Sequence, residues 1–277
     1  MKVSLIDKSL INSFLVKMSV ISVFVGFYCT FVTIPEKYKF GAGILFIIFA
    51  ILLYFVSWIY VNFMSKITID IEGSKINIKS GDIFVQEGYK VIGFNEYFDT
   101  IVDNKIISDR SLNGIFLQKH LKIDVLELDS LIGNYAYEDE EIIEKNIHRT
   151  CGNTTKYKLG TIYVYDDYIL TAFSRFDSKN RAFLTMPDYL SFLIRFWDKV
   201  NQVYAQKNVS VPIFGSGITR IKEHRNISDE ELLKIMIWTF RISEMRFKYP
   251  AQLSIVIHED KMSQINLFEI KNTKNGI

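Results

Sequence analysis

The chain has 277 residues, 49% of them hydrophobic and 23% charged, with a formal net charge of +2. So small a cationic excess argues against a nucleic-acid-binding surface, and the apolar share is high for an ordinary soluble domain. Two cysteines, Cys29 in an apolar segment and Cys151 in a polar one, indicate no disulfide framework. Neither they nor the four histidines have metal-ligand spacing, so no metal or other cofactor is expected.

The apolar excess lies in the first 64 residues. Met18 to Ile34 contains no charged residue; as a helix it spans roughly 26 Å, the short end for a membrane crossing. Phe40 to Met64 is equally free of charge and at about 37 Å crosses with tilt. Pro35, Glu36, Lys37 and Lys39 between them predict a tight hairpin, and Tyr54, Trp58 and Tyr60 place amphipathic rings toward the exit of the second span. A helical pair buried in a soluble domain is the alternative. A cleaved signal peptide fits less well, because the first apolar stretch is long and a second follows. Lys2, Lys8 and Lys17 before the first span, and Lys66, Lys75 and Lys79 after the second, outnumber Lys37 and Lys39 in the loop, which puts both termini in the cytoplasm. The expected division is a transmembrane hairpin over residues 1–66, with helices at about 18–34 and 40–64, and one cytoplasmic domain over 67–277.

Ile67 to Ile71 and Lys75 to Lys79 alternate apolar and polar residues around Glu72-Gly73-Ser74, predicting a β-hairpin. Gly81-Asp82-Ile83-Phe84 ends it, and Val91 to Phe94 reads as a short buried strand leading into Asn95–Thr100. Ser111-Leu112-Asn113-Gly114 opens a helix running through Leu121. Asp124 to Arg149 is acidic and irregular, an excursion in which Glu138-Asp139-Glu140 form a solvated face. Gly160 to Val164 and Tyr168 to Phe173 are predicted strands joined at Asp166-Asp167. Pro187 starts a helix over Asp188 to Gln206 whose Tyr189, Phe192, Phe196 and Trp197 recur at helical spacing, a core stripe.

Val209 to Phe214 is a further buried strand, and Ser228 caps a helix to Met245 with Asp229, Glu230 and Glu231 in its first turn. Between them, Gly215-Ser216-Gly217 lets backbone N–H groups turn together toward an anion. Strand, glycine loop and helix in that order suit a phosphate site at the carboxyl edge of a sheet; a plain turn is the competing reading of so short a motif. Leu253 to His258 is a last strand and Met262 to Ile270 a terminal helix. Strands alternating with crossover helices predict an α/β sheet covered on both faces, mixed because of the leading hairpin.

Four pieces thus stand at strand ends: Gly81-Asp82-Ile83-Phe84, Asn95–Thr100, Ser111–Gly114 and Gly215–Arg220. In this order they resemble the macro domain, a three-layer α/β/α fold that binds ADP-ribose. The resemblance implies that Asp82 holds adenine beside the backbone N–H of Ile83, and that Asn95 faces the distal ribose. It further implies that the loop opening the next helix, together with Gly215, Ser216, Gly217, Ile218 and Thr219, grips the diphosphate. GFNEYFDT stands where that fold usually has an Asn-Ala-Ala-Asn run, and SLNG where it has a glycine-rich run. These departures place inherited hydrolase activity in doubt. They also match a narrower group. Two apolar helices followed by GDIF, NEYFDTIVDNKIIS, SLNG and VPIFGSGI make the whole chain similar to the membrane-anchored macro-domain effectors of type II Thoeris antiphage defence. That similarity implies a histidine conjugate of ADP-ribose as the signal, made by a partner TIR-domain protein. It also implies a multi-pass place in the bacterial inner membrane, homo-oligomers on activation, and disruption of the lipid bilayer that ends in abortive infection.

Asp99, Thr100, Ser111, Leu112, Gly114 and Arg220 complete the expected ligand-binding set, and several members have a plainer reading. Asp82 can cap a turn, Asn95 and Asp99 can close an Asx turn, and Thr100 and Ser111 can be caps. Arg220 is either a solvated cation or a fork on the diphosphate. His258 either flanks adenine or lies at the surface. Three functions follow: a ligand-gated membrane effector without catalysis; a membrane-bound ADP-ribosyl hydrolase in which Asn95 or Asp99 positions water; or a receptor that only tethers a partner.

Overall fold

The computed structural model describes residues 2–145, 148–177, 181–217, 219–222, 224, 226–243, 246–248 and 250–272. Two long helices come first, α1 (Lys8–Phe31) and α2 (Glu36–Asn62). Both begin earlier than the charge-free runs predict. The Asp7 carboxylate accepts from Leu10 N at 3.0 Å, so the capped helix takes in Lys8 and Lys17. Pro35 is the N-cap of α2; its fixed φ suits a helix start, and the charged stretch Glu36–Lys39 becomes the first turn instead of a loop. Both helices are long and apolar enough to cross a membrane. Their large side chains are bare, Phe24 at 70% and Phe40 at 81% exposure, an arrangement that water would penalise heavily.

Only Phe63 to Ser65 separate α2 from β1 (Lys66–Ile71), which pairs antiparallel with β2 (Ser74–Ser80) around the predicted turn. The main sheet then adds β3 (Tyr89–Asn95), β6 (Ile162–Tyr165), β7 (Tyr168–Phe176), β8 (Ala182–Leu184), β9 (Val209–Pro212), β10 (Arg220–Ile221) and β11 (Leu253–Ile257). Its order is β1-β2-β11-β9-β3-β7-β8-β10, with β6 also on β7. β2, β11, β9, β3 and β7 run parallel in sequence, so their carboxyl ends share one edge. β1, β6 and β8 pair antiparallel, which makes the sheet mixed.

The pleat sorts side chains by alternation. Val91, Ile169 and Phe173 join the core beneath α5 (Met186–Val203) and α6 (Asp229–Ile242). Ile92, Phe94, Leu170 and Ala172 point to the opposite face, against α3 (Leu112–Ile115), the π-turn Phe116–His120 that extends it, and α4 (Val125–Asn134). This is the expected three-layer α/β/α arrangement. Capping boxes fix the starts of the two large helices, Thr185 with Asp188 and Ser228 with Glu231.

Two stretches correct the sequence reading. The acidic stretch from Asp124 to Lys145 holds regular elements: Asp124 caps α4, which buries Leu128 and Ile132, and β4 (Ile142–Lys145) pairs with β5 (Thr155–Tyr157). The predicted terminal helix is two, α7 (Glu259–Met262) and α8 (Leu267–Asn272). Asn266 divides them by accepting from Glu269 N at 3.1 Å, so α8 starts afresh.

Candidate functional site

The converging carboxyl ends of the parallel strands, with the segments that follow them, wall a cavity of ≈ 1050 Å³. This is the edge at which open α/β sheets take their ligands. After β2, Gly81 N donates to Ile257 O at 3.0 Å, tying the turn to β11. The Asp82 carboxylate then accepts from Phe84 N at 2.9 Å, closing the Asx turn, while Asp82 stays exposed and lines the cavity beside buried Ile83. At the end of β9, Pro212 stops the ladder, having no N–H to give. Gly215 follows in the left-handed region at φ 87°, which glycine adopts without strain. Tyr189 OH donates to Phe214 O at 2.9 Å and fixes the loop from below. Gly215, Ser216, Gly217 and Thr219 all line the cavity. Ser111 caps α3, its Oγ accepting from Gly114 N at 3.2 Å, and lines the cavity together with Leu112.

Asn95 reaches the cavity too, but its amide is engaged. Oδ1 accepts from Tyr97 N at 3.0 Å and Asp99 N at 3.2 Å, and Nδ2 donates to Asp99 at 2.8 Å. This clasp holds Phe98 at φ 50°, a left-handed conformation costly for a bulky residue.

Of the expected ligand-binding set, Asp99, Thr100 and Gly114 lie outside the cavity lining. Asp99 is fully buried. Its Oδ1 accepts from Arg149 Nη1 at 2.7 Å and Asn153 N at 2.7 Å, and its Oδ2 from Arg149 Nη2 at 2.5 Å and Asn95 Nδ2. Thr100 donates to Asp129 at 3.0 Å. A Cβ on Gly114 would stand 2.1 Å from Ser108 O, so glycine there serves close packing of the helix start. Ile218 lies outside the described residues, as does the side chain of Arg220, whose backbone pairs with Phe183 in β10.

The cavity also gathers cations that sequence reading missed. Lys105, Arg110, Arg181, Lys222 and Lys261 line it, from segments scattered between residues 105 and 261 of the chain. Lys222 Nζ sits 3.9 Å from the centre of the Phe183 ring, and Arg181 pairs with Asp177 at 2.8 Å. His258 lines the cavity while remaining largely exposed. A positive, mostly apolar chamber with a glycine loop in its wall suits a ligand with a flat ring and adjoining phosphates.

Beside the chamber, Glu96 is 1% exposed, its Oε1 accepting from Phe176 N at 3.1 Å. Burial pushes its carboxyl above the ordinary value of 4.5, against the pull of Lys156 and Arg175. The folded state therefore binds the proton more tightly than the unfolded chain, so this group costs stability as pH rises above 4.5 through its folded pKa. Glu96→Gln flattens the fall in stability over that window in denaturant melts at stepped pH; an unchanged slope contradicts the assignment.

The chain is similar to known proteins. A family model described as Thoeris protein ThsA, Macro domain, matches residues 76–258. A Thoeris protein ThsA from Bacillus amyloliquefaciens (strain Y2) is 41% identical over 227 residues, covering 80% of this chain and 75% of that protein. Among solved structures, the Oceanobacillus iheyensis macrodomain with ADP is 13% identical, covers 76% of this chain and 94% of its own, and superposes with a TM-score of 0.44. A mutant of that macrodomain with ADPR is 11% identical, with coverage of 76% and 96% and a TM-score of 0.43.

Proposed function

Because the chain belongs to the Thoeris ThsA macro-domain family, we infer that it is a non-catalytic antiphage effector, gated by an ADP-ribose-derived signal and acting on the cell membrane. The signal in this reading is the histidine conjugate of ADP-ribose supplied by a partner TIR-domain protein, and the bilayer is that of the bacterial inner membrane, with both termini cytoplasmic. One observation carries it: a cationic nucleotide-sized cavity stands on a sheet whose first strand begins three residues, Phe63 to Ser65, after a long bare apolar helix. A short connection transmits rearrangement that a long flexible one would dissipate. Asp82 and Ile83 are assigned to adenine, Asn95 to the distal ribose, and Ser111, Leu112 and Gly215 to Thr219 to the diphosphate.

The competing reading as an ADP-ribosyl hydrolase needs Asn95 or Asp99 to position water. Both carboxylate oxygens of Asp99 are already occupied by Arg149, Asn153 and Asn95, away from the cavity, which favours the effector. Incubating full-length protein in detergent with ADP-ribosylated protein and with ADP-ribose separates the two. The effector binds ADP-ribose saturably and releases no more product than one equivalent; repeated turnover would overturn the assignment.

A further inference from the structure

Lys261 differs from the other cavity cations in where its partner leads. Arg181 and Lys222 contact Asp177 and Phe183, on the same wall of the chamber. Lys261 Nζ instead stands 3.2 Å from Oδ2 of Asp229, the first residue of α6. Asp229 is 9% exposed, and that oxygen accepts no hydrogen bond among the described residues. The ammonium contact therefore compensates the buried carboxylate together with the helix N-terminus, while lacking the geometry that would lock it.

The next residue carries the connection onward. Glu230 Oε2 accepts from Asn266 N at 2.8 Å. Asn266, 8% exposed, reaches the other way, its Nδ2 donating to Asp7 Oδ2 at 3.4 Å. The other oxygen of Asp7 caps α1. Phe268 packs with Val3, Leu10 and Val61. Val3 is clasped to α2, its N–H donating to Asn62 Oδ1 at 3.1 Å and its carbonyl accepting from Trp58 Nε1 at 3.0 Å. Charge and hydrogen-bond contacts, joined by the backbone step from Asp229 to Glu230, thus run from the cavity to the root of both apolar helices, with Lys234 also holding Glu230 Oε1 at 2.9 Å.

We propose that Lys261 is the positioning residue through which an occupied cavity acts on the membrane hairpin: an anionic ligand draws its ammonium from Asp229, and the Glu230–Asn266–Asp7 clasp loosens. This rests on the anion-binding reading of the cavity given above. A ligand shifts such an equilibrium only through unequal affinity for the two arrangements, and Lys261 supplies the inequality, because its charge serves either Asp229 or the ligand. Spatial continuity alone does not establish coupling, so the test reads the far end of the series.

Full-length protein in lipid nanodiscs is titrated with ADP-ribose and, separately, with its histidine conjugate, while amide hydrogen exchange is followed over residues 3–12. At saturation confirmed by calorimetry, ligand speeds exchange at Leu10, whose N–H the Asp7 cap protects, by about tenfold. Asn266→Ala binds within about twofold of the parent but exchanges at one rate with or without ligand. Lys261→Gln, brought to saturation, likewise shows no ligand response. Parent protein that binds either nucleotide with no change at Leu10, or a full response surviving in Asn266→Ala, overturns the coupling and leaves the binding site standing. Failure of the parent to bind either nucleotide overturns both.

Discussion

Gly217→Glu lowers the affinity for ADP-ribose by at least about 100-fold and leaves the melting temperature within about 1 °C. A Cβ built on Gly217, a residue that lines the chamber, meets nothing within 4 Å and φ is not in the left-handed region, so a side chain is accommodated without strain. In the proposed reading the phosphates approach the loop backbone there, and the added carboxylate repels them. Losing that approach and adding a like charge together cost about 3 kcal/mol, at about 1.4 kcal/mol per tenfold. Calorimetry on the full-length protein in detergent gives the affinity and a thermal melt gives the stability. Unchanged affinity would remove the glycine loop from the site.

Asp99→Asn is expected to do the opposite, damaging the fold first. The substitution leaves the Arg149 guanidinium, 8% exposed, without its bidentate acceptor. Among the described residues, the remaining partners are the Asn153 carbonyl at 2.5 Å and the Tyr97 ring, 3.9 Å from the guanidinium carbon. Removing one partner of a buried, hydrogen-bonded ion pair costs about 3–5 kcal/mol, which for a domain of this size lowers the melting point by about 6–20 °C. Affinity measured well below the melt weakens less than in Gly217→Glu, because Asp99 reaches the ligand only by steadying Asn95. A melting point lowered by less than about 2 °C would show that the Asn95–Thr100 turn holds without this ion pair.

These two sites show how far the chain could be read in advance. Gly215–Gly217 was legible because a strand, its break and the conformational demand all lie within a few consecutive residues. The hairpin around Gly73, the caps at Ser111 and Ser228, and the buried stripe of α5 were legible for the same reason. The structural role of Asp99 is not legible in the sequence because its partners are remote: Arg149 lies 50 positions on and Asn153 54, and nothing local marks either as its partner. Three of the missed cations, Arg181, Lys222 and Lys261, come from segments whose convergence only the crossed strand order creates. α4 escaped because a helix of 10 residues burying two leaves little periodicity, and the starts of α1 and α2 because charge-free runs mark apolar solvent, whereas caps mark helix ends.

The account rests on one conversion, from nucleotide bound in the cavity to a disturbed bilayer. It is tested most directly in liposomes holding the full-length protein and an entrapped dye. ADP-ribose or its histidine conjugate is expected to release the dye along the same concentration curve that describes binding, and Gly217→Glu to release none at those concentrations. Saturated binding with the dye retained would contradict it.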